Sequence, residues 1–224
     1  MKHLELKKEG DVFIVTMNGS VPANTFTADV IDEHMAICDE IDNSSGNGAV
    51  ILTSSDPKFW SNGINLEWLT GMGGDYFPQF KIIIDKMLAR WALLRFPTIA
   101  CLTGHAFGGG AILSCCFDFR LMRQDRGFFC FPEVDINIPF TDVMHRIIDS
   151  IPNKQSLWDL ALTGRRVGGE EAKKLQVVHD CHVEADLFPK ALELAQFLAA
   201  KNPATYFDIK KGLKRELVKI TGLI

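Results

Sequence analysis

The sequence predicts an α/β domain built on parallel strands joined by right-handed crossovers. Three observations carry this. Short apolar runs alternate with longer amphipathic segments along all 224 residues. The order is strand, strand, helix, repeated, with helices following strands at nearly every crossing. In Thr103 to Leu113, Gly108, Gly109 and Gly110 stand between a buried-strand pattern, Thr98 to Leu102, and an apolar helical run, Ala111 to Cys116.

The elements follow in order. His3 to Lys7 alternates weakly and Val12 to Met17 strongly, with Glu9-Gly10-Asp11 as a hairpin turn between them. Asn18 to Asn24 is a loop. Thr27 is a good N-cap for a helix running to about Ile41, whose apolar face includes Val30, Ile37 and Ile41. Ala49 to Thr53 reads as a buried strand and Ser54 to Gly63 as a loop. A short helix starts near Asn65. A long one follows from about Tyr76 to Leu94, where Phe77, Phe80, Ile84, Met87, Trp91 and Leu94 share one face. Pro97 stops it. After the glycine helix, Phe117 to Met122 and Phe128 to Phe131 read as strands, the second leading into Pro132-Glu133-Val134. Asp142 to Asp149, Lys154 to Thr163 and Gly169 to Leu175 read as short helices, and Val177-Val178 as a last brief strand. Leu187, Ala191, Leu194 and Leu198 mark a further helix, and Pro203 opens a final one. The charges of that last helix, Lys210 and Lys211 to Lys219, are most simply a solvated face.

Composition narrows the function classes. The hydrophobic and charged fractions, 47% and 23%, are ordinary for a globular protein. A net charge of −4 gives no support to a nucleic-acid surface. No apolar run approaches membrane-spanning length, so no membrane role is expected. Met1 to Glu5 does not read as a signal peptide, and Gly222-Leu223-Ile224 matches no peroxisomal or retention tail. The six cysteines lack any C-x-x-C pair and sit mostly in apolar runs, as buried thiols of a reducing, cytoplasmic setting would.

Several residues are candidates for chemistry. A glycine-rich strand-to-helix junction leaves backbone N–H groups unpaired and approachable. No Gly-Lys-Ser/Thr follows, so the P-loop reading fails, and no Gly-x-Gly-x-x-Gly register fits. Two readings of the stretch remain: an oxyanion site for a carbonyl, or glycines that only permit close packing. Glu133, at the end of an apolar strand, is either a half-buried base with a raised pKa or a salt-bridged loop residue. Asp135 would share its face in an extended segment, though exposure is the simpler reading. His105 can line a pocket or hold a neighbour by hydrogen bond. His179 and His182 read as a surface turn, and no metal set is expected.

Four segments resemble the crotonase (enoyl-CoA hydratase/isomerase) family. Phe59-Trp60-Ser61-Asn62-Gly63-Ile64-Asn65-Leu66 is similar to its Phe-Ser-x-Gly-x-Asp-Leu loop, and Gly104 to Gly110 to its Gly-x-Ala-x-Gly-Gly-Gly. Phe131-Pro132-Glu133-Val134 resembles its Phe-x-x-Pro-Glu segment, and Pro22-Ala23-Asn24 its early loop that contacts the nucleotide end of coenzyme A. They stand in family order and, taken together, favour the functional readings of the glycines and of Glu133.

The resemblance implies a crotonase spiral of ββα turns over residues 1–185 and a helical C-terminal segment over 186–224, shorter than in many relatives. It implies an oxyanion hole made by the backbone N–H groups of Ile64 and Gly109, with Ala23, Ser61, Asn62, Gly63, Asn65 and Gly108 contacting an acyl-CoA. Coenzyme A would arrive as part of the substrate, with no other cofactor, and the assembly would be a homotrimer or hexamer. The family's hydratases place water with two glutamates. One matches Glu133; the other position is Ile112. One carboxylate can shuttle a proton between C2 and C4, the work of a Δ3,Δ2-enoyl-CoA isomerase, and Glu133-Val134-Asp135-Ile136 resembles the short plant isomerases. Other family reactions on a CoA thioester (hydration, decarboxylation, hydrolysis) and a non-catalytic CoA- or RNA-binding relative are the alternatives. Two further departures stand out: Asn65 replaces the loop aspartate, and Asn137 falls where glycine is common.

Overall fold

The computed structural model describes residues 1–222; Leu223 and Ile224, the end of the tail read above, lie outside it. Two strands, β1 (Leu4–Glu9) and β2 (Val12–Met17), form the expected antiparallel hairpin, with Gly10 at φ +58° in its turn. After a 3₁₀ turn at Pro22–Asn24 comes α1 (Ala28–Asp42), capped by the Thr27 side chain, which accepts from Val30 N. The chain then repeats a motif: a strand for a large sheet, a short strand for a small one, then helix. The first round is β3 (Ala49–Ser54), β4 (Phe59–Ser61), α2 (Leu66–Gly71) and α3 (Phe77–Ala92). The second is β5 (Thr98–Leu102), β6 (His105–Phe107) and α4 (Gly109–Cys116). The third is β7 (Phe119–Arg123), β8 (Phe129–Cys130) and a one-turn α5 (Glu133–Ile136). Then α6 (Asp142–Ile148), α7 (Lys154–Thr163), α8 (Gly169–Lys174), β9 (Asp180–His182), α9 (Glu184–Ala199), α10 (Pro203–Leu213) and α11 (Arg215–Thr221) complete the described chain.

The large sheet has the order β1-β2-β3-β5-β7-β9, parallel from β2 onward, and the small sheet β4-β6-β8 is parallel throughout. This is the spiral of ββα turns. The central strands are buried on both faces, which is why β3 and β5 read as unbroken apolar runs. One face packs under α1, α3 and α4 through Ile37, Leu88, Trp91 and Leu52. The other is covered by α9, whose Leu187, Ala191, Ala195 and Leu198 meet Ile14, Ile51, Ile99 and Leu121.

The structure corrects four sequence expectations. Ser54 to Gly63 is not all loop, since Phe59–Ser61 pairs as β4. Val177-Val178 is not the last strand. Both N–H groups donate to Ala172 O, closing α8, and the strand forms three residues later at Asp180–His182, paired with β7. Of the pair read as a surface turn, His179 is exposed in the bend before this strand and His182 lies within it, half-buried. His179 Nδ1 accepts from Arg120 N at 3.1 Å, its ring lies 5.1 Å from that of Phe119, and desolvation pushes its pKa down to about 4. Finally, the C-terminal lysines are not all solvated, and the single helix expected after Pro203 is two. Lys210, 3% exposed, donates to Leu94 O and Phe96 O and pairs with Asp118 at 2.7 Å. Lys214 donates to Ala92 O and Cys116 O. Two ammonium groups thus satisfy carbonyls at the ends of α3 and α4, places a charge pattern on one helix does not reveal. Among the described residues no helix is long and apolar enough to cross a membrane.

Candidate active site

The glycines around which the chain is organised divide between the two readings open above. Gly104 and Gly110 are packing residues: a Cβ on either would collide with a backbone carbonyl, Lys58 O or Ser61 O. Gly63, Gly108 and Gly109 build the site. A Cβ at Gly63, whose φ is +73°, would fall 2.5 Å from Gly109 N, so the β4–α2 loop can touch the start of α4 only with glycine there. Gly108, at φ +53°, turns the chain from β6 into α4, and its own Cβ position lies 3.4 Å from Glu133 Oε1. A Cβ at Gly109 would sit 3.4 Å from Ile64 N, so the two amides adjoin. Among the described residues neither Ile64 N nor Gly109 N has a hydrogen-bond acceptor. Gly109 N belongs to the first turn of α4, where such groups find no partner within the helix.

Glu133 closes this site. It opens α5 rather than ending a strand, because β8 pairs for only two residues and Pro132 starts a helical turn. The turn ends at Asn137, whose φ of +58° explains why glycine would suit that place and why asparagine, tolerant of the left-handed region, serves. Ile138 N then donates to Glu133 O at 3.1 Å, fixing the backbone under the carboxyl. Glu133 is 8% exposed, and Oε2 is buried with no hydrogen-bond partner among the described residues. Among the described residues no salt bridge reaches it, so the loop ion-pair reading fails. Burial pushes its pKa up to about 7.

A cleft of about 430 Å³ runs past these groups, lined by Ala23, Asn62, Ile64, Asn65, Gly108, Gly109 and Glu133. Seven of the nine expected site residues therefore share one cavity wall. Ser61 and Gly63 do not. Ser61 is fully buried beneath the cleft, donating to Asn24 O at 2.8 Å and accepting from Gly63 N at 3.2 Å. It ties the early loop to the loop that carries Gly63 and Ile64. Asn65 caps α2 by accepting from Trp68 N, while its Nδ2 donates to Thr25 Oγ1. That hydroxyl already donates to Pro22 O, so an aspartate would have no proton to offer it. His105 stays off the cleft. Its Nδ1 accepts from Phe128 N, its ring lies among Phe59, Phe107 and Phe128, and burial lowers its pKa. Asp135 is exposed and lies against Gly164 rather than beside Glu133.

Ile112, one turn into α4, is buried and faces Glu133 across a small pocket of about 20 Å³ that Ile64, Gly109 and Met144 also line. Ile138 and Phe140 were missed by sequence reading, yet Ile138 borders every hollow that Glu133 borders. Their signal, an apolar pair around Pro139 just past the glutamate, is legible only once the turn at Asn137 is known.

A model of the enoyl-CoA hydratase/isomerase family matches residues 7–221. Two relatives from Arabidopsis thaliana, enoyl-CoA delta isomerase 2 (peroxisomal) and enoyl-CoA delta isomerase 3, are each 31% identical over 97% of this chain and cover 95% and 94% of their own lengths. A short-chain-enoyl-CoA hydratase from Clostridium acetobutylicum is 27% identical over 96% of the chain and 82% of its own. Among solved structures, an enoyl-CoA hydratase/isomerase family protein from Pseudomonas syringae superposes with a TM-score of 0.89 at 19% identity, covering 97% of this chain and 92% of that one. An enoyl-CoA hydratase from Bacillus anthracis gives 0.84 at 22% identity, covering 97% and 88%. These two likenesses are of fold.

Proposed function

The chain belongs to the enoyl-CoA hydratase/isomerase (crotonase) family, and we propose that within it the chain is a Δ3,Δ2-enoyl-CoA isomerase. Glu133, ionised, takes a proton from C2 of a 3-enoyl-CoA. The electron pair of that C–H bond runs toward the thioester oxygen, forming a dienolate. Ile64 N–H and Gly109 N–H hold that oxygen, each on the order of ~3 kcal/mol in the transition state. Glu133 then returns its proton to C4, leaving the double bond between C2 and C3. Nothing is oxidised and no group is lost, so coenzyme A enters as part of the substrate and no other cofactor is invoked. A homotrimer or hexamer in a reducing compartment, the cytoplasm, is proposed with it; the six unpaired thiols support the second point.

One observation carries the isomerase over the hydratase reading. In the small pocket where Glu133 adjoins Ile64, Gly109 and Ile112 it is the one carboxylate among the described residues, and the cleft on its other side adds only Glu67, which is exposed. That pocket has room for about one water, but little to hold it. The Thr141 hydroxyl already donates to Asp85 and accepts from Met144 N, and the Lys81 ammonium lies over the Phe77 ring. Once the thioester oxygen takes the two amides, a water there would have Glu133 and at most Lys81, short of the about three partners an ordered buried water keeps.

The test is a panel of 3-enoyl-, 2-enoyl- and 3-hydroxyacyl-CoA esters, with products separated by mass and retention. The expected result is interconversion of the two enoyl esters without change of mass. Hydration of the 2-enoyl ester at a comparable rate would overturn the one-base mechanism.

A further inference from the structure

Glu133 borders three hollows, and they differ widely in size. The cleft of about 430 Å³ leads to Ala23 and Asn65. The pocket behind Ile112, about 20 Å³, is stopped by Phe80, Ile84 and Met144. A third, of about 710 Å³, lies between α5, α6 and α7, bounded by Phe140, Ile148, Leu157, Trp158 and Leu162.

We propose that the acyl chain beyond C4 leaves Glu133 through this third cavity, and that Trp158 and Leu162 set the chain length the enzyme favours. The inference rests on the one-base isomerase reading. A single carboxylate that serves both C2 and C4 keeps the first carbons of the acyl group beside it, so the tail departs through a hollow that Glu133 itself borders. The cleft holds the coenzyme end. The pocket behind Ile112 admits about one water and no chain. The cavity between α5 and α7 remains, and it shares Glu133 and Ile138 with the other two hollows.

Its walls are mostly hydrocarbon, with Asn137, His145 and Asp149 among the lining besides Glu133. Trp158 and Leu162 are 68% and 65% exposed, large apolar groups left uncovered four residues apart on one face of α7. Val134, on the exposed side of α5, adds to the same wall. The volume falls in the range of sites that enclose drug-sized ligands, about 300–1,000 Å³. The substrate class is therefore a straight acyl chain of medium or greater length, not a short or polar one.

The experiment measures binding of saturated acyl-CoA esters from hexanoyl to tetradecanoyl by competition, alongside isomerisation of the matching 3-enoyl esters. Affinity is expected to rise about fourfold per methylene while the chain stays within the cavity. Ala161→Trp, which puts a ring into the cavity, should lower tetradecanoyl affinity far more than hexanoyl affinity. Trp158→Ala should flatten the slope, and Trp158→Phe should restore most of it. A slope that ignores all three variants but responds to Met144→Ala would overturn the proposal in favour of the pocket behind Ile112. So would a Trp158→Ala variant that changes the assembly state and leaves the slope intact, since α7 would then be covered by a second copy. If the slope behaves as expected but no 3-enoyl ester is isomerised, the isomerase reading fails and the acyl route stands.

Discussion

Glu133→Gln keeps the shape of the side chain and removes its capacity to accept a proton. Isomerase turnover should fall by about a thousandfold while acyl-CoA binding persists, as stopped-flow and competition measurements would show. A variant within about tenfold of wild type would place the base elsewhere. The raised pKa gives two further readouts. Because the base works ionised, kcat/KM should climb with pH through about 7 and level above it. Because the folded state binds this proton more tightly than the unfolded chain, the group's stabilising contribution is complete below about 4.5 and is lost as pH rises through about 7. At pH 8 the glutamine variant should therefore be more stable than wild type, by on the order of 3 kcal/mol in denaturant titration. Ile112→Glu tests the other side of the pocket. The two carboxyls would raise each other's pKa, one staying protonated near neutrality, and the ratio of hydration to isomerisation should increase. The new polar group in an apolar wall should reduce stability by ~3 kcal/mol; an unchanged ratio in a folded variant would remove Ile112 from the argument. At this scale the sequence is readable where a residue's partners are near in the chain. Thr27 caps the helix it begins and Glu133 sits in a short recognisable segment. Ser61 is not readable in that way, because its acceptor, Asn24 O, lies 37 residues earlier.

Elements were legible in proportion to their length. The helices α1, α3 and α7 and the strands β2, β3 and β5 carry enough periods to declare themselves. The small sheet does not, since β4 and β6 have three residues each and β8 two, with pairing partners 23 to 46 residues distant. The C-terminal helices show a further limit. Lysines at 210 and 214 look solvated because their spacing is all one helix displays, whereas their partners are Asp118 and the ends of α3 and α4. Burial pushes the Lys210 pKa down to about 8 despite Asp118, while the two ammonium groups hold Asp118 below the ordinary carboxylate range. Asp118→Ala would leave buried positive charge without its counter-ion. It should cost about 3–5 kcal/mol, read as a lower urea midpoint. A loss under about 0.5 kcal/mol, the size of an ordinary surface change, would return these lysines to solvent.

For the whole molecule, the order of strands and helices was readable because each ββα round repeats the same apolar rhythm, and those rounds bring the loops of the candidate site to one place. Assembly was not readable, since an exposed apolar residue has the same letter whether water or another chain covers it. Leu213 is 82% exposed, and Phe197, Ile209 and Ile220 are also open on the helices after β9. These faces support the proposed trimer or hexamer. Light scattering should find three or six chains per particle, and a monomer throughout the micromolar range would remove that proposal.

The margins of the large sheet have a consequence for how the protein fails. At one margin β1 presents Glu5, Lys7, Lys8 and Glu9 to solvent, and at the other β9 offers three residues. Neither is a template on which a strand from another molecule can grow. The stretch whose composition would suit a fibril is in the middle: Ala49 to Thr53, β-prone and uncharged, is enclosed on both faces and both sides. Shelf life is thereby tied to the unfolding equilibrium and not to the native surface. Asp118→Ala should gain thioflavin-positive aggregate on storage at temperatures where wild type stays clear, and should lose that difference when a tight-binding acyl-CoA holds the folded state.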